Sequence, residues 1–285
     1  MRHSLKFIVF ITFICLCFAC GDDRARRGSG GPSGPSGPSH PPGGSATLQF
    51  DDVRLSAARF SPDGTRLVLS YQDEDGEYNI ATMDTDGSRL ELLAGGGSYL
   101  TAPTWSRDGT KIIFYRDGIE RMNLDGSDVE PIDNAFAAMG PDISPDGTLM
   151  TYGINGSTIR IHSLDAEEPN IVTDQYGSTP RFSPDGTLIA YANAGGLFVM
   201  DLHGENVREI ATDDLSYLSS VAWFPDGERL AVTTDNGVEI IDVASGSRTQ
   251  AIDGFATMEV DVSPDGRVII YGINGQSGLK IVSDF

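Results

Sequence analysis

Apolar residues in most of this chain come in short runs, separated by clusters of Pro, Asp, Gly and Ser, and no stretch holds the spacing of an amphipathic helix. One hexapeptide precedes the strand-like runs six times: FSPDGT at 60, WSRDGT at 105, ISPDGT at 143, FSPDGT at 182, WFPDGE at 223 and VSPDGR at 262. Its aspartates, Asp63, Asp108, Asp146, Asp185, Asp226 and Asp265, stand 45, 38, 39, 41 and 39 residues apart. A period near 40 with four short strands per unit predicts an all-β fold, a six-bladed β-propeller with four-stranded blades.

Each part of the hexapeptide has a local reason. An apolar residue ends one strand, Pro presets φ in the turn, Asp bonds nearby backbone, and Gly accepts a positive φ. The second strand follows at once (TRLVLSY, TKIIFY, TLMTY, TLIAYA, ERLAVTT, RVIIY), then a third (NIATM, GIERMNL, TIRIHSL, GLFVMDL, GVEIIDV) and a more polar fourth (RLELL, DVEPI, NIVT, VREIA, TQAI). The sixth unit stops after its third strand, LKIVSDF, while an orphan strand, TLQF, precedes the first unit. Phe50 lies ten residues before Phe60, as Ile252 lies ten before Val262, so TLQF is expected to close the ring as the outer strand of the last blade.

Blades 1–3 align on blades 4–6. The residues ending the first strands run Phe60, Trp105, Ile143, then Phe182, Trp223, Val262, and YGING occurs at 152 and again at 271. SYLTAPTW matches SYLSSVAW, and AFAAMGPDIS matches GFATMEVDVS. A three-blade unit duplicated in tandem gives an approximate twofold axis along the channel. The matching phrases fall in the links that crowd one channel mouth, which marks Tyr99, Tyr217, Phe136, Phe255, Asn155 and Asn274 as a candidate partner-binding face. The plainer reading is that the aromatics cap blade junctions and the Asn-Gly pairs make tight turns. One position before each strand end stand Arg59, Thr104, Asp142, Arg181, Ala222 and Asp261. Since blade 6 neighbours blade 1 and blade 3 neighbours blade 4, Arg59 with Asp261 and Asp142 with Arg181 are expected as inter-blade ion pairs. Alternatively the two arginines hold an anionic group of a ligand.

The first 45 residues differ in kind. Arg2 and Lys6 precede an apolar run from Phe7 to Ala19, too short to span a bilayer but suited to an export signal. Its end, LCFACG, resembles a bacterial lipoprotein signal with Cys20 as the lipidated residue, although Cys17 stands where such signals usually carry Leu. An ordinary cleaved signal or an uncleaved anchor also fits. Residues 21–45, with three GPS triplets, read as a disordered linker, and 46–285 as the propeller. Cys15, Cys17 and Cys20 are the only cysteines, so the propeller has neither a disulfide nor a thiolate. Without the first 45 residues the chain keeps 15 basic and 39 acidic residues, a formal net charge of −24. That excess disfavours nucleic acid and anionic lipid headgroups as partners and is accounted for by a solubilising surface.

The repeated SPDG core, with its third-strand and DGS pattern, resembles the TolB-type β-propeller repeat, a bacterial relative of WD-type repeats. Two repeats depart, with Arg107 in place of Pro and Phe224 in place of Ser, and the extra N-terminal α/β domain of TolB itself has no counterpart. The resemblance implies a non-enzymatic scaffold that binds other envelope proteins, here reached by membrane attachment through an N-terminal lipid, in the outer membrane or periplasm if the cell is Gram-negative. A monomer without cofactor is expected. Only His162 and His203 lie in the propeller, and no nucleophile elbow, zinc-protease motif or phosphate loop occurs. DEDGE at 73 and DTDGS at 84 lack full calcium-loop spacing and read as hairpin turns, so no metal site is assigned. The rival function is a metal-dependent hydrolase of the lactonase type, or a small-ligand binder using the central channel.

Overall fold

The structure is a computed structural model. It describes residues 10–13, 44–49 and 54–283, apart from 98–99, 136–137, 155–157, 165–170, 194–195, 213–214, 216–218, 254–258 and 273–277. The described strands form six antiparallel sheets set as the blades of a propeller, and the described residues contain no helix. The innermost strands are Arg54–Phe60, Thr101–Trp105, Ala138–Ile143, Ser178–Phe182, Val221–Trp223 and Val260–Val262. Each of the first five blades runs outward in chain order to a fourth strand.

The second strands are apolar on both faces because each blade is covered by a neighbour on either side. In Arg66–Gln72, Leu67 and Leu69 pack with Val268 and Ile270 of blade 6, whereas Val68 packs with Ile112 and Phe114 of blade 2. Strand alternation thus sends successive residues into different wedges. Six such wedges, one per blade junction, make the core. The fourth strands lie at the rim, with Leu92, Val129, Val172 and Val207 exposed.

The hexapeptide turns form their own ring. In blade 1, Asp63 Oδ1 accepts hydrogen bonds from Ser61 Oγ (2.6 Å) and the Thr65 N–H (3.0 Å), and Gly64 takes φ +71°. Proline of one turn lies over glycine of the next: Pro264 over Gly64, Pro62 over Gly109, Pro145 over Gly186 and Pro225 over Gly266. Arg107 takes that place over Gly147.

The ring closes as the length arithmetic requires. Gly44–Gln49 runs antiparallel to Gly278–Ser283, with Gly44 opposite Ser283 and Gln49 opposite Gly278. Outside it, Phe10–Phe13 of the apolar leader pairs antiparallel with residues 46–49 as a fifth strand.

Candidate functional site

The twofold repeat is visible in the bonds that stitch blades around the channel. Asp261 Oδ2 accepts the Phe60 N–H at 2.9 Å, and Asp142 Oδ2 accepts the Phe182 N–H at 2.8 Å. Each aspartate thereby fixes the start of the next blade's turn. In the same spirit, the Trp105 indole N–H donates to the Arg59 carbonyl (3.2 Å) and that of Trp223 to the Arg181 carbonyl (3.1 Å). Blades 6, 1 and 2 are linked in this way, and so are blades 3, 4 and 5.

The arginine side chains break the symmetry. Arg59 Nη1 stands 3.6 Å from Asp261 Oδ1, and its Nε lies 3.4 Å from Glu259 Oε2. Arg181 donates through Nη1 to the carbonyls of Gly140 (2.8 Å) and Pro180 (3.0 Å), and its Nη2 lies 3.5 Å from the other oxygen of Glu259. Of the two pairings expected from the sequence, the structure brings Arg59 and Asp261 together. Asp142 is held by the backbone beside Arg181, while the Arg181 guanidinium reaches Glu259. Glu259 therefore bridges arginines of blades 1 and 4, which face each other across the ring.

The cause of the asymmetry is one substitution between the halves. Glu259 of blade 6 aligns with Gly140 of blade 3. Gly140 adopts φ +54° in a strand bulge, and a Cβ there would come within 2.8 Å of Thr179. Only one of the two equivalent positions can thus carry a side chain into the channel. Sequence reasoning missed Glu259 because it considered only the position next to the strand end. The Glu-for-Gly mismatch between the aligned halves was the available signal.

The cluster is strongly buried: Arg59 and Arg181 are 6 % and 3 % exposed. Burial works against the Arg59 charge, but Glu259, Asp261 and Asp142 together hold its pKa above the ordinary value. Burial likewise raises Asp261, against the opposing pull of Arg59. Asp142 is pushed up to about 6, again by burial, with Arg59 and the Phe182 N–H opposing. Arg59 Nη2 and Arg181 Nε have no hydrogen-bond partner among the described residues. Above the cluster, on the hexapeptide-turn face, a cavity of about 250 Å³ is walled by Trp105, Trp223 and the turn prolines.

These shifts set a pH dependence. A carboxyl raised from 3.8 to about 6 binds its proton more tightly in the fold, so Asp142 favours the fold below 3.8 and this contribution is lost as pH rises through 6. Asp63, Asp108, Asp146 and Asp185 are lowered, chiefly by the serine hydroxyl of their own turn, so their contribution is present above 3.8 and lost in more acid solution. Stability should therefore peak near pH 4, fall between about pH 4 and 6 by up to about 3 kcal/mol from Asp142, and level off above that. Thermal melts from pH 4 to 8 test this, with Asp142→Asn expected to flatten the decline. Equal declines in both proteins would assign the effect to surface charge instead.

The remaining candidates are quickly placed. Cys20, Tyr99, Tyr217, Phe136, Phe255, Asn155 and Asn274 lie outside the described residues. His162 is largely buried, with Nδ1 3.1 Å from Asp133 Oδ2. In the two acidic loops, Asp73 accepts the Asp75 and Glu77 N–H groups and Asp86 accepts that of Ser88, which is hairpin chemistry. Among the described residues no group of three or more His, Cys, Asp or Glu is placed to hold a metal ion.

Comparison with known proteins matches residues 48–196, just over half of the chain, to the family model described as the TolB beta propeller domain. Among solved structures, TolB from Acinetobacter baumannii is similar at 18 % identity and TM-score 0.62, covering 83 % of this chain and 65 % of that one. About a third of that protein is therefore not spanned. A putative TolB from Agrobacterium tumefaciens gives 16 % identity and TM-score 0.64, with 83 % and 92 % covered. A chain of a mitotic checkpoint complex gives 14 % identity and TM-score 0.60, with 84 % and 94 % covered. At these identities the structural likeness concerns the fold.

Proposed function

Because this chain belongs to the TolB β-propeller domain family, we propose that it is a non-enzymatic, protein-binding propeller of the bacterial cell envelope. In this reading residues 1–20 direct export, Cys20 carries the lipid, 21–45 form the tether and 46–285 the binding body. An envelope protein docks on the face marked by Tyr99, Tyr217, Phe136, Phe255, Asn155 and Asn274. The observation that carries the reading is the occupied channel: Glu259 stands between Arg59 and Arg181, so the charged groups that a channel enzyme would direct at a substrate already bind one another.

A second reading has its own support. The 250 Å³ cavity and the orphan nitrogens of Arg59 and Arg181 favour a small polar ligand in the channel mouth.

Cross-linking capture from envelope extract separates the two. The chain should retain one identified envelope protein, and a Tyr99→Ala/Tyr217→Ala variant of matched melting temperature should lose it. Equal capture by both proteins would move the docking site elsewhere. Absence of capture, together with protection of the channel arginines by a small solute, would favour the second reading.

A further inference from the structure

The two departures from the hexapeptide fall on symmetry-related blades, and their consequences differ. With Trp105 aligned on Trp223, Ser106 corresponds to Phe224, Arg107 to Pro225 and Lys111 to Arg229. Phe224 is fully buried in the wedge between blades 5 and 6, alongside Pro225 at the Gly266 turn. The Arg229 guanidinium covers its ring at 4.3 Å. Between blades 2 and 3 Ser106 stands at that place, without a ring to fill it. A cleft of about 600 Å³ lies there, with Ile113, Ile132, Ile143 and Leu164 along it.

The cleft keeps the cationic side of the blade 5 arrangement and adds to it. Lys111 occupies the position of Arg229 and donates to Asn123 Oδ1 at 2.5 Å. Arg107, exposed at the lip, belongs to both the cleft and the channel mouth and has no polar partner among the described residues. The neighbouring aspartates do not neutralise it by contact: Asp108 binds Ser106 and Thr110, and Asp146 binds Ser144 and Thr148. Arg121 also lines the cleft, so in a chain of net charge −21 three cations, Arg107, Lys111 and Arg121, gather there against the two aspartates, beside the isoleucines and Leu164.

We propose that this cleft receives an aromatic side chain of a partner polypeptide, with an adjacent carboxylate of the same segment meeting Arg107. The intramolecular Phe224 displays the fit: an apolar wedge for the ring and a cation against its face. Arg107 adds the charge-assisted contact that selects an acidic segment. This surface lies on the hexapeptide-turn side of the ring and is independent of the docking face proposed above.

The test uses the acetylated, amidated tripeptide Asp-Phe-Glu, titrated into the ¹⁵N-labelled protein. Saturable shifts are expected at the amides of residues 106–113 and 143–147. The Asp-Ala-Glu peptide should bind at least about tenfold more weakly, as loss of a buried ring implies. Ser106→Phe, which supplies the ring in cis, should abolish the shifts. Arg107→Pro, the residue found in the five other repeats, should weaken binding and remove its salt dependence. Shifts confined to the channel, binding unchanged in both variants, or no saturable shift in the wild-type protein would overturn the proposal.

Discussion

A chain beginning at residue 51 should fail to fold cooperatively, while one beginning at residue 41 should melt like the full chain. The shorter chain lacks Gly44–Gln49, which pairs along its whole length with Gly278–Ser283. Losing about six backbone hydrogen bonds at roughly 1 kcal/mol each removes an amount comparable to the stability of an ordinary domain. The loss also bares the edge of a strand whose Leu279 is buried against Tyr71 and Ile270 in the junction of blades 1 and 6. An unpaired apolar edge of that kind invites association between copies. Circular dichroism melts and light scattering of the two truncations read the outcome directly. A 51–285 chain that stays monomeric and melts within a few degrees of the full chain would mean that the three remaining strands hold blade 6 alone. The chain beginning at residue 41 also lacks Phe10–Phe13, and its unchanged melt would show that the fifth strand adds little to the closed ring.

Glu259→Ala should be among the most damaging single substitutions in the channel. It leaves two guanidinium groups, both more than nine-tenths buried, without their shared carboxylate. Removing one partner from a buried ionic group typically costs about 3 kcal/mol, because the charges left behind stay desolvated. Arg59 retains Asp261, and Arg181 retains the Gly140 and Pro180 carbonyls, so the fold should be weakened and not abolished. Glu259→Gln should fall between, keeping the shape and losing the charge. High salt should change the difference little, since screening is weak for buried groups. In a denaturant titration the midpoint should drop with an unchanged slope. A loss below about 0.5 kcal/mol in Glu259→Ala, the scale of an exposed pair, would show that water already separates the three side chains.

What could be read from the sequence was what local chemistry determines. The hexapeptide turn needs only its own residues, as the Ser61–Asp63–Thr65 bonds show, so its six copies counted the blades. Closure followed because the spacing of Phe50 and Phe60 matches that of Ile252 and Val262. The strand-end positions Arg59, Asp142, Arg181 and Asp261 line one cavity. What escaped depends on reach across the ring. Arg181 turns toward Glu259 and the Gly140 carbonyl because of a positive-φ bulge, and no local motif announces which arginine a glutamate on blade 6 will meet. The cleft beside Arg107 was half visible, since both irregular hexapeptides had been recognised. Their relation as an empty and a filled version of one wedge needed three dimensions. Tyr99, Tyr217 and their companions stay a matter for the capture experiment.

The clasp between Gly44–Gln49 and Gly278–Ser283 also governs when the protein can become itself. Gly44–Gln49 leaves the ribosome before the six blades and waits for Gly278–Ser283, so the ring cannot close until that strand has been made. Joining ends that far apart in sequence is entropically slow, and contacts of this kind form late in folding. Until then the open array of blades leaves Gly44–Gln49 without its partner strand. A protein built this way stays threadable for as long as its last blade is unfinished, and it locks only after that blade's third strand arrives.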